Sequence, residues 1–266
     1  MEPFLKWAGG KRWLTTRPID IFPDHVETKR YFEPFLGGAA VFFHLQPTGG
    51  YLSDLNVDLI NAYTTIRDNW EDLVDVLFKY DKKHSVDFYY EMREKKPRVS
   101  LLQAARFIYL NRTCWNGLYR VNKNGQFNVP IGTKTKVLST EDNFQELSLL
   151  LNTMSIESCD FQNTIDKARS GDFVFIDPPY TVKHNLNGFV KYNEKIFSWQ
   201  DQIRLKDSVS KAIKRGAFVL ILNANHISIK ELYKGVGKTI ELERASVIAG
   251  NSSARGRYTE LAIKCW

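Results

Sequence analysis

Asp172-Phe173-Val174-Phe175-Ile176-Asp177-Pro178-Pro179-Tyr180 is the stretch that decides the fold. Phe173 to Ile176 is apolar without a break. A strand wetted on one face alternates apolar and polar side chains, whereas an unbroken apolar run reads as a strand buried on both faces of a parallel sheet. The run stops at Asp177 because Pro178 and Pro179 have no N–H to continue a ladder. Outward toward the C-terminus, Ser198-Trp199-Gln200-Asp201 is a capping-box signal for a helix to about Arg215. Ala217 to Leu222 is a second buried strand ending at Asn223, and Ile240–Ile248 with Tyr258–Trp266 predict a terminal strand pair. Outward toward the N-terminus, a strand over Tyr31–Phe35 runs into Leu36-Gly37-Gly38-Ala39 and a helix start over Ala40–Leu45. A further strand at Tyr51-Leu52-Ser53 ends at Asp54. Leu59, Ile60, Tyr63, Ile66, Trp70, Leu73, Val76 and Leu77 recur at helical spacing and predict one long helix over Val57–Tyr80. Strands alternating with helices imply an α/β sheet, here interrupted by an insertion.

The insertion is where the charge sits. The chain of 266 residues carries a net charge of +7, yet Lys79 to Thr140 holds 13 Lys and Arg against 4 Asp and Glu. A local excess on a near-neutral body is the footprint of a polyanion-binding surface, although lysines also cluster on ordinary solvated faces. This segment reads as helical over Leu101–Leu110. It is then polar and rich in Gly and Asn from Asn111 to Gly132, with Lys123-Asn124-Gly125-Gln126 giving an Asn-Gly hairpin signal. Cys114, Cys159 and Cys265 form no C-x-x-C pair, which argues against a zinc site or a disulfide framework. Met1 to Gly10 lacks a signal peptide's apolar run, and no stretch has the length of a membrane span. The expectation is a protein of the cell interior without metal or membrane.

Three short words carry chemistry. Asp177-Pro178-Pro179-Tyr180 lies at the carboxyl end of a buried strand, where open α/β sheets bind their ligands. The prolines remove donors and leave carbonyl oxygens as acceptors. With the Asp177 carboxylate they can accept both hydrogens of an exocyclic amine, while the Tyr180 ring stacks on the base that bears it. Phe32-Glu33-Pro34-Phe35-Leu36-Gly37-Gly38-Ala39 is a strand, a Gly turn and a helix start, suited to close approach of a ligand. Asp54 stands at the end of the next strand, the place of a carboxylate that holds a ribose hydroxyl. Lys6-Trp7-Ala8-Gly9-Gly10-Lys11 sets an aromatic and two cations on a flexible turn. Each word taken alone also has a plain reading as a turn with packing residues.

Together with Asn111-Arg112, Asn116-Gly117-Leu118-Tyr119-Arg120 and Phe127-Asn128-Val129-Pro130, these words resemble the ordered motifs of the Dam-type (D12 class, alpha group) DNA adenine-N6 methyltransferases, from Phe4 to the C-terminus. The resemblance implies a Rossmann-like S-adenosylmethionine-dependent methyltransferase sheet with an inserted, mainly helical DNA-recognition domain that contains a β-hairpin. It implies a catalytic domain of residues 1–60 and 145–266 and a recognition domain of residues 61–144. By matched position, Trp7, Lys11, Phe35, Gly37, Asp54, Asp160 and Asp177 contact S-adenosylmethionine. Asp177, Pro178 and Tyr180 bind the amine. Lys6, Trp115, Asn116, Leu118, Arg120 and Pro130 contact double-stranded DNA. The resemblance further implies GATC as target and a monomer in the cytoplasm of a bacterial host, nucleoid-associated or phage-encoded. One departure is Ala39, where the family carries a second glycine; alanine is tolerated there only if its φ is negative.

A paired base hides its amine, so the target must leave the stack. Trp115 is expected to fill the vacancy and Arg120 to read a guanine edge, a contact worth about 1–3 kcal/mol of discrimination. Lys95, Lys96, Arg98, Lys134 and Lys136 are cast as phosphate contacts. Arg244-Ala245-Ser246 and Arg255-Gly256-Arg257 resemble a loop near DNA. The alternatives are methylation of cytosine N4 or of a protein glutamine amide, and a DNA-binding regulator with a decayed site.

Overall fold

The computed structural model describes residues 1–16, 20–24, 28–122, 125–183, 197–245 and 257–266. Strands β1 (Tyr31–Glu33), β2 (Gly50–Asp54), β3 (Met154–Ser158), β4 (Phe173–Ile176), β5 (Phe218–Ala224), β6 (Lys238–Ala245) and β7 (Arg257–Cys265) form a seven-stranded sheet in the order β3-β2-β1-β4-β5-β7-β6. All four residues of β4 are buried. The strand pairs in parallel with β1 (Tyr31 opposite Phe173) and with β5 (Phe173 opposite Phe218 through Ile176 opposite Ile221). β2 and β3 are parallel, and β7 runs antiparallel to both β5 and β6. The sheet is thus mixed and mostly parallel, as the unbroken apolar runs require.

The chain divides into two compact units, Met1–Arg17 with Leu36–Ser158, and Pro18–Phe35 with Cys159–Trp266. The first holds α1 (Arg12–Thr15), α2 (Ala40–Leu45), α3 (Val57–Lys83), α4 (Val86–Glu94), α5 (Ser100–Thr113) and α6 (Phe144–Leu151) besides β2 and β3. α3 starts at Asn56, whose side chain accepts the Leu59 N–H, and it packs on α5 and α6 through a stripe that includes Leu59, Ile66, Leu73 and Leu77. It is not one straight helix: Asn69 has φ −151° and ψ 38°, a kink that the apolar periodicity runs through unchanged. α4 has no counterpart among the elements expected from the sequence. Ser85 caps it, but only Tyr89 and Met92 are buried, too few to make a periodic signal. The expected hairpin is present as isolated bridges, Val121 with Phe127 and Cys114 with Ile131. The Lys123-Asn124 part of its turn signal lies outside the described residues.

The second unit holds the other five strands with α7 (Phe161–Ile165), α8 (Trp199–Lys214) and α9 (Ile227–Leu232). α8 opens on the expected capping box: Ser198 accepts the Asp201 N–H, and the Asp201 carboxylate accepts the Ser198 N–H. The terminal strand pair is present as β6 and β7. The basic words around Ser246 and Arg255-Gly256 lie outside the described residues.

Candidate functional site

In the first unit the N-terminal words meet on the Gly turn. Phe4 anchors the N-terminus with its ring against Phe43, Tyr63 and Phe144. Three residues on, the half-buried Trp7 lies against Gly37, which has φ +47°. A Cβ on Gly37 would fall 2.7 Å from Trp7 Cδ1 and 2.9 Å from Nε1, so only glycine leaves this indole its place. Gly37 N donates to Asp54 Oδ2 at 3.1 Å, and Asn56 N donates to Asp54 Oδ1 at 2.9 Å. Burial raises the Asp54 carboxyl above its ordinary value in spite of these donors. Tyr63 donates its hydroxyl to Gly37 O at 3.0 Å, fixing the turn from the α3 side. Lys11 is buried and donates to Gly9 O at 2.7 Å. Ala39 has φ +53°, so the favourable branch of the sequence expectation fails. Alanine stands in the left-handed region, at a strain of about 1–2 kcal/mol.

A carboxylate at the rim of a Gly turn, an aromatic ring over backbone too close for a Cβ, and a buried cation suit a nucleoside with a zwitterionic tail. The residues present therefore fit a cofactor of that kind, S-adenosylmethionine among them.

In the second unit, Asp177 comes directly after β4, at its carboxyl end. Pro178 is buried and Tyr180 half-buried. The Tyr180 hydroxyl donates to Glu260 Oε2 on β7 at 2.7 Å, which sets the direction of the ring. The next residue, Thr181, is fully buried and donates to Phe197 O at 2.6 Å, while Gln202 reaches Thr181 O and is itself held by Asn223. The Asp-Pro-Pro-Tyr turn is thus tied to α8, β5 and β7. Phe35 stacks on Phe161 with centroids 5.4 Å apart and meets the edge of Phe197 at 5.5 Å. Asp160 caps α7 through the Gln162 N–H, and both of its oxygens are bound by Arg204, at 2.7 and 2.9 Å. The Arg204 guanidinium also covers the Phe161 ring, 4.3 Å from its centroid. Sequence reasoning misses Arg204 and Glu260, since nothing local joins them to the motifs they hold.

The expected DNA contacts lie in the first unit. Trp115 is 50% exposed on a 3-10 turn, Trp115–Gly117, in which Asn116 and Gly117 have φ +55° and +64°. Trp115 N donates to Pro130 O at 2.9 Å, which brings these two candidates together. Arg120 is exposed, with Nε held by Asn128 Oδ1 at 2.9 Å. Tyr119, to which the sequence assigns no role, stacks on Trp7 at 5.8 Å and 16° and donates to Asp58 Oδ2 at 3.0 Å. Asn111 and Arg112, equally without a role in the sequence, are anchors: their side chains hold the backbone of Lys6 and Phe4.

The family model of the D12 class N6 adenine-specific DNA methyltransferases matches residues 7–248. This chain belongs to that class. The methyltransferase is 35% identical over 272 residues to the type II methyltransferase M1.LlaDCHI of Lactococcus lactis subsp. cremoris, covering 99% of this chain and 95% of that one. It is 34% identical over 285 residues to the type II methyltransferase M.MjaIII of Methanocaldococcus jannaschii, covering 99% and 98%. With the DNA adenine methylase of Haemophilus influenzae it shares 31% identity over 268 residues, covering 98% and 92%. The methyltransferase acts on the N6 amine of adenine in DNA, and the methyl donor of its family is S-adenosylmethionine. Cytosine N4, a glutamine amide and a non-enzymatic role are set aside by this membership. No helix among the described residues is long and apolar enough to cross a membrane, and they contain no His, Cys, Asp or Glu cluster able to hold a metal ion.

Proposed function

We propose that the methyltransferase is site-specific and modifies the adenine of GATC in double-stranded DNA after flipping it from the stack. The observation that carries this reading is the Asp-Pro-Pro-Tyr turn at the end of β4, anchored through Tyr180 to Glu260. S-adenosylmethionine supplies an electrophilic methyl group on a sulfonium. The Asp177 carboxylate and the Pro178 carbonyl accept the two hydrogens of the adenine amine, which directs the nitrogen lone pair at that methyl. The anchored ring of Tyr180 stacks on the flipped base. Trp7, Lys11, Phe35, Gly37 and Asp54, together with Asp160 and Asp177, hold the donor. The Asp160 carboxylate does so while shared with Arg204, which keeps Phe161 against Phe35.

Residues 1–60 and 145–266 form the catalytic domain in this reading, and residues 61–144 the recognition domain. Exposed Trp115 enters the stack where the adenine leaves it. Arg120 reads a guanine, Lys6, Asn116, Leu118 and Pro130 line the same DNA contact, and the enzyme works as a cytoplasmic monomer. Identifying the nucleoside methylated with labelled S-adenosylmethionine on duplexes containing GATC, and on single-base variants of it, tests the reading. N6-methyladenine confined to GATC and abolished by Asp177→Ala is expected. Equal methylation of the variants refutes the target, and an Asp177→Ala enzyme of undiminished rate refutes the site.

A further inference from the structure

Asn111 is fully buried at the C-terminal end of α5, yet its side chain works outward on two segments. Its Oδ1 accepts the Lys6 N–H at 3.1 Å, and its Nδ2 donates to Lys6 O at 2.7 Å. Nδ2 also reaches Gly117 O, at 3.4 Å. The two bonds to Lys6 reproduce what a neighbouring strand would give its backbone, but from one carboxamide, so the main chain at residue 6 is held in a single register to α5. Gly117 controls the path of the Lys6 side chain. With φ +64°, a Cβ there would fall 2.6 Å from both Cβ and Cδ of Lys6. The Lys6 stem therefore runs across the bare Cα of Gly117, in the turn that also presents Trp115 and Leu118.

The far end of Lys6 is exposed, and among the described residues its ammonium makes no hydrogen bond or ion pair. Partial burial, with Lys134 and Arg12 nearby, lowers its pKa, against an opposing pull from Cys114. A cation with like charges around it and no acceptor in place gains most from an external acceptor such as a base edge or a phosphate. A free lysine side chain spreads over many rotamers, whereas discrimination between bases needs placement within about 0.5 Å. Here the backbone of Lys6 is held by Asn111 and its stem lies against Gly117, which leaves only the end of the side chain to be placed.

We propose that Asn111 and Gly117 form a clamp that fixes the Lys6 ammonium where it meets DNA, which makes Asn111 a positioning residue for sequence discrimination. The inference rests on Lys6 as a DNA contact in the proposed function. Its measure is the ratio of kcat/KM on the best duplex to that on single-base variants, for the whole chain loaded with S-adenosylmethionine. Lys6→Ala, Asn111→Ser and Gly117→Ala are each expected to lower that ratio about tenfold. In a Lys6→Ala background, Asn111→Ser and Gly117→Ala are expected to lower it no further, because they act through the same ammonium. A buried Asn that served folding alone would lower Tm and total activity and leave the ratio untouched. Gly117→Ala carries the test if Asn111→Ser fails to fold. An unchanged ratio for Lys6→Ala removes Lys6 as a reading residue and the clamp with it. A changed ratio for Lys6→Ala with unchanged ratios for the other two overturns the clamp alone, as does a loss that persists in the Lys6→Ala background.

Discussion

Replacing Arg112 by methionine tests whether the N-terminal segment is held from α5. The guanidinium donates Nε and Nη2 to Phe4 O at 3.1 and 2.9 Å, Nη1 to Val137 O at 2.8 Å, and both Nη atoms to the Asp142 carboxylate at 2.5 and 2.8 Å. The two side chains are only 12% and 13% exposed, and the cation lies 5.6 Å from the Phe144 ring centroid. Methionine keeps most of the stem that packs there and removes every polar contact. Breaking such a pair leaves a carboxylate with little solvent, which costs about 3–5 kcal/mol. Asp142 keeps a donor, Ser139 N at 2.7 Å, which favours the lower end of that range. At roughly 2–4 °C per kcal/mol for a unit of this size, about 3 kcal/mol lowers Tm by roughly 6–12 °C. Differential scanning calorimetry reads the change directly. The double variant Arg112→Met/Asp142→Asn is expected to recover part of the loss, since the unpaired charge goes with it. A fall below about 2 °C for Arg112→Met, or a double variant as unstable as the sum of the singles, refutes the argument.

The Gly turn and the carboxylate beside it can be perturbed separately. Burial raises the Asp54 carboxyl above 3.8, so the folded protein binds that proton more tightly than the unfolded chain. The stability this contributes is complete below the ordinary value and is lost as pH rises through the raised one. Asp54→Asn should therefore gain on the wild type as pH rises above the ordinary carboxyl value, and a difference that does not change with rising pH in urea unfolding contradicts the assignment. Ala39→Gly sets opposing terms against each other: relief of about 1–2 kcal/mol of left-handed strain against about 0.8 for the buried methyl and about 0.4–1 for chain entropy. Tm should stay within about 3 °C of the wild type, and a larger shift either way shows that the left-handed backbone at Ala39 costs something other than these terms allow.

How legible each element is depends on how local its cause is. β4 and α2 are readable because four apolar residues before two prolines, and a Gly-Gly turn before a helix, carry their own explanation. β3 escapes the sequence because only Met154 and Ile156 are buried in a short polar strand at the sheet's edge. The kink at Asn69 escapes it because the apolar stripe of α3 continues on both sides. Asp177 and Tyr180 are readable as candidates from their place after a buried strand. The Glu260 carboxylate that fixes Tyr180 lies 80 residues away and leaves no local mark.

The order of the words, the strand ends at which they stand, the placement of the excess charge and the family are all written in the chain. Those properties depend on neighbours in sequence: turn formers beside apolar runs, and lysines close together. The roles of Asn111, Arg112, Tyr119 and Arg204 are settled by folding instead. Asn111 and Arg112 act on segments 105 and 108 residues away, and hydrogen bonds of that reach exist only once packing has brought both ends together. Ala39 belongs to the same class, since its departure from the motif is visible at once but the sign of its φ is a property of the folded turn.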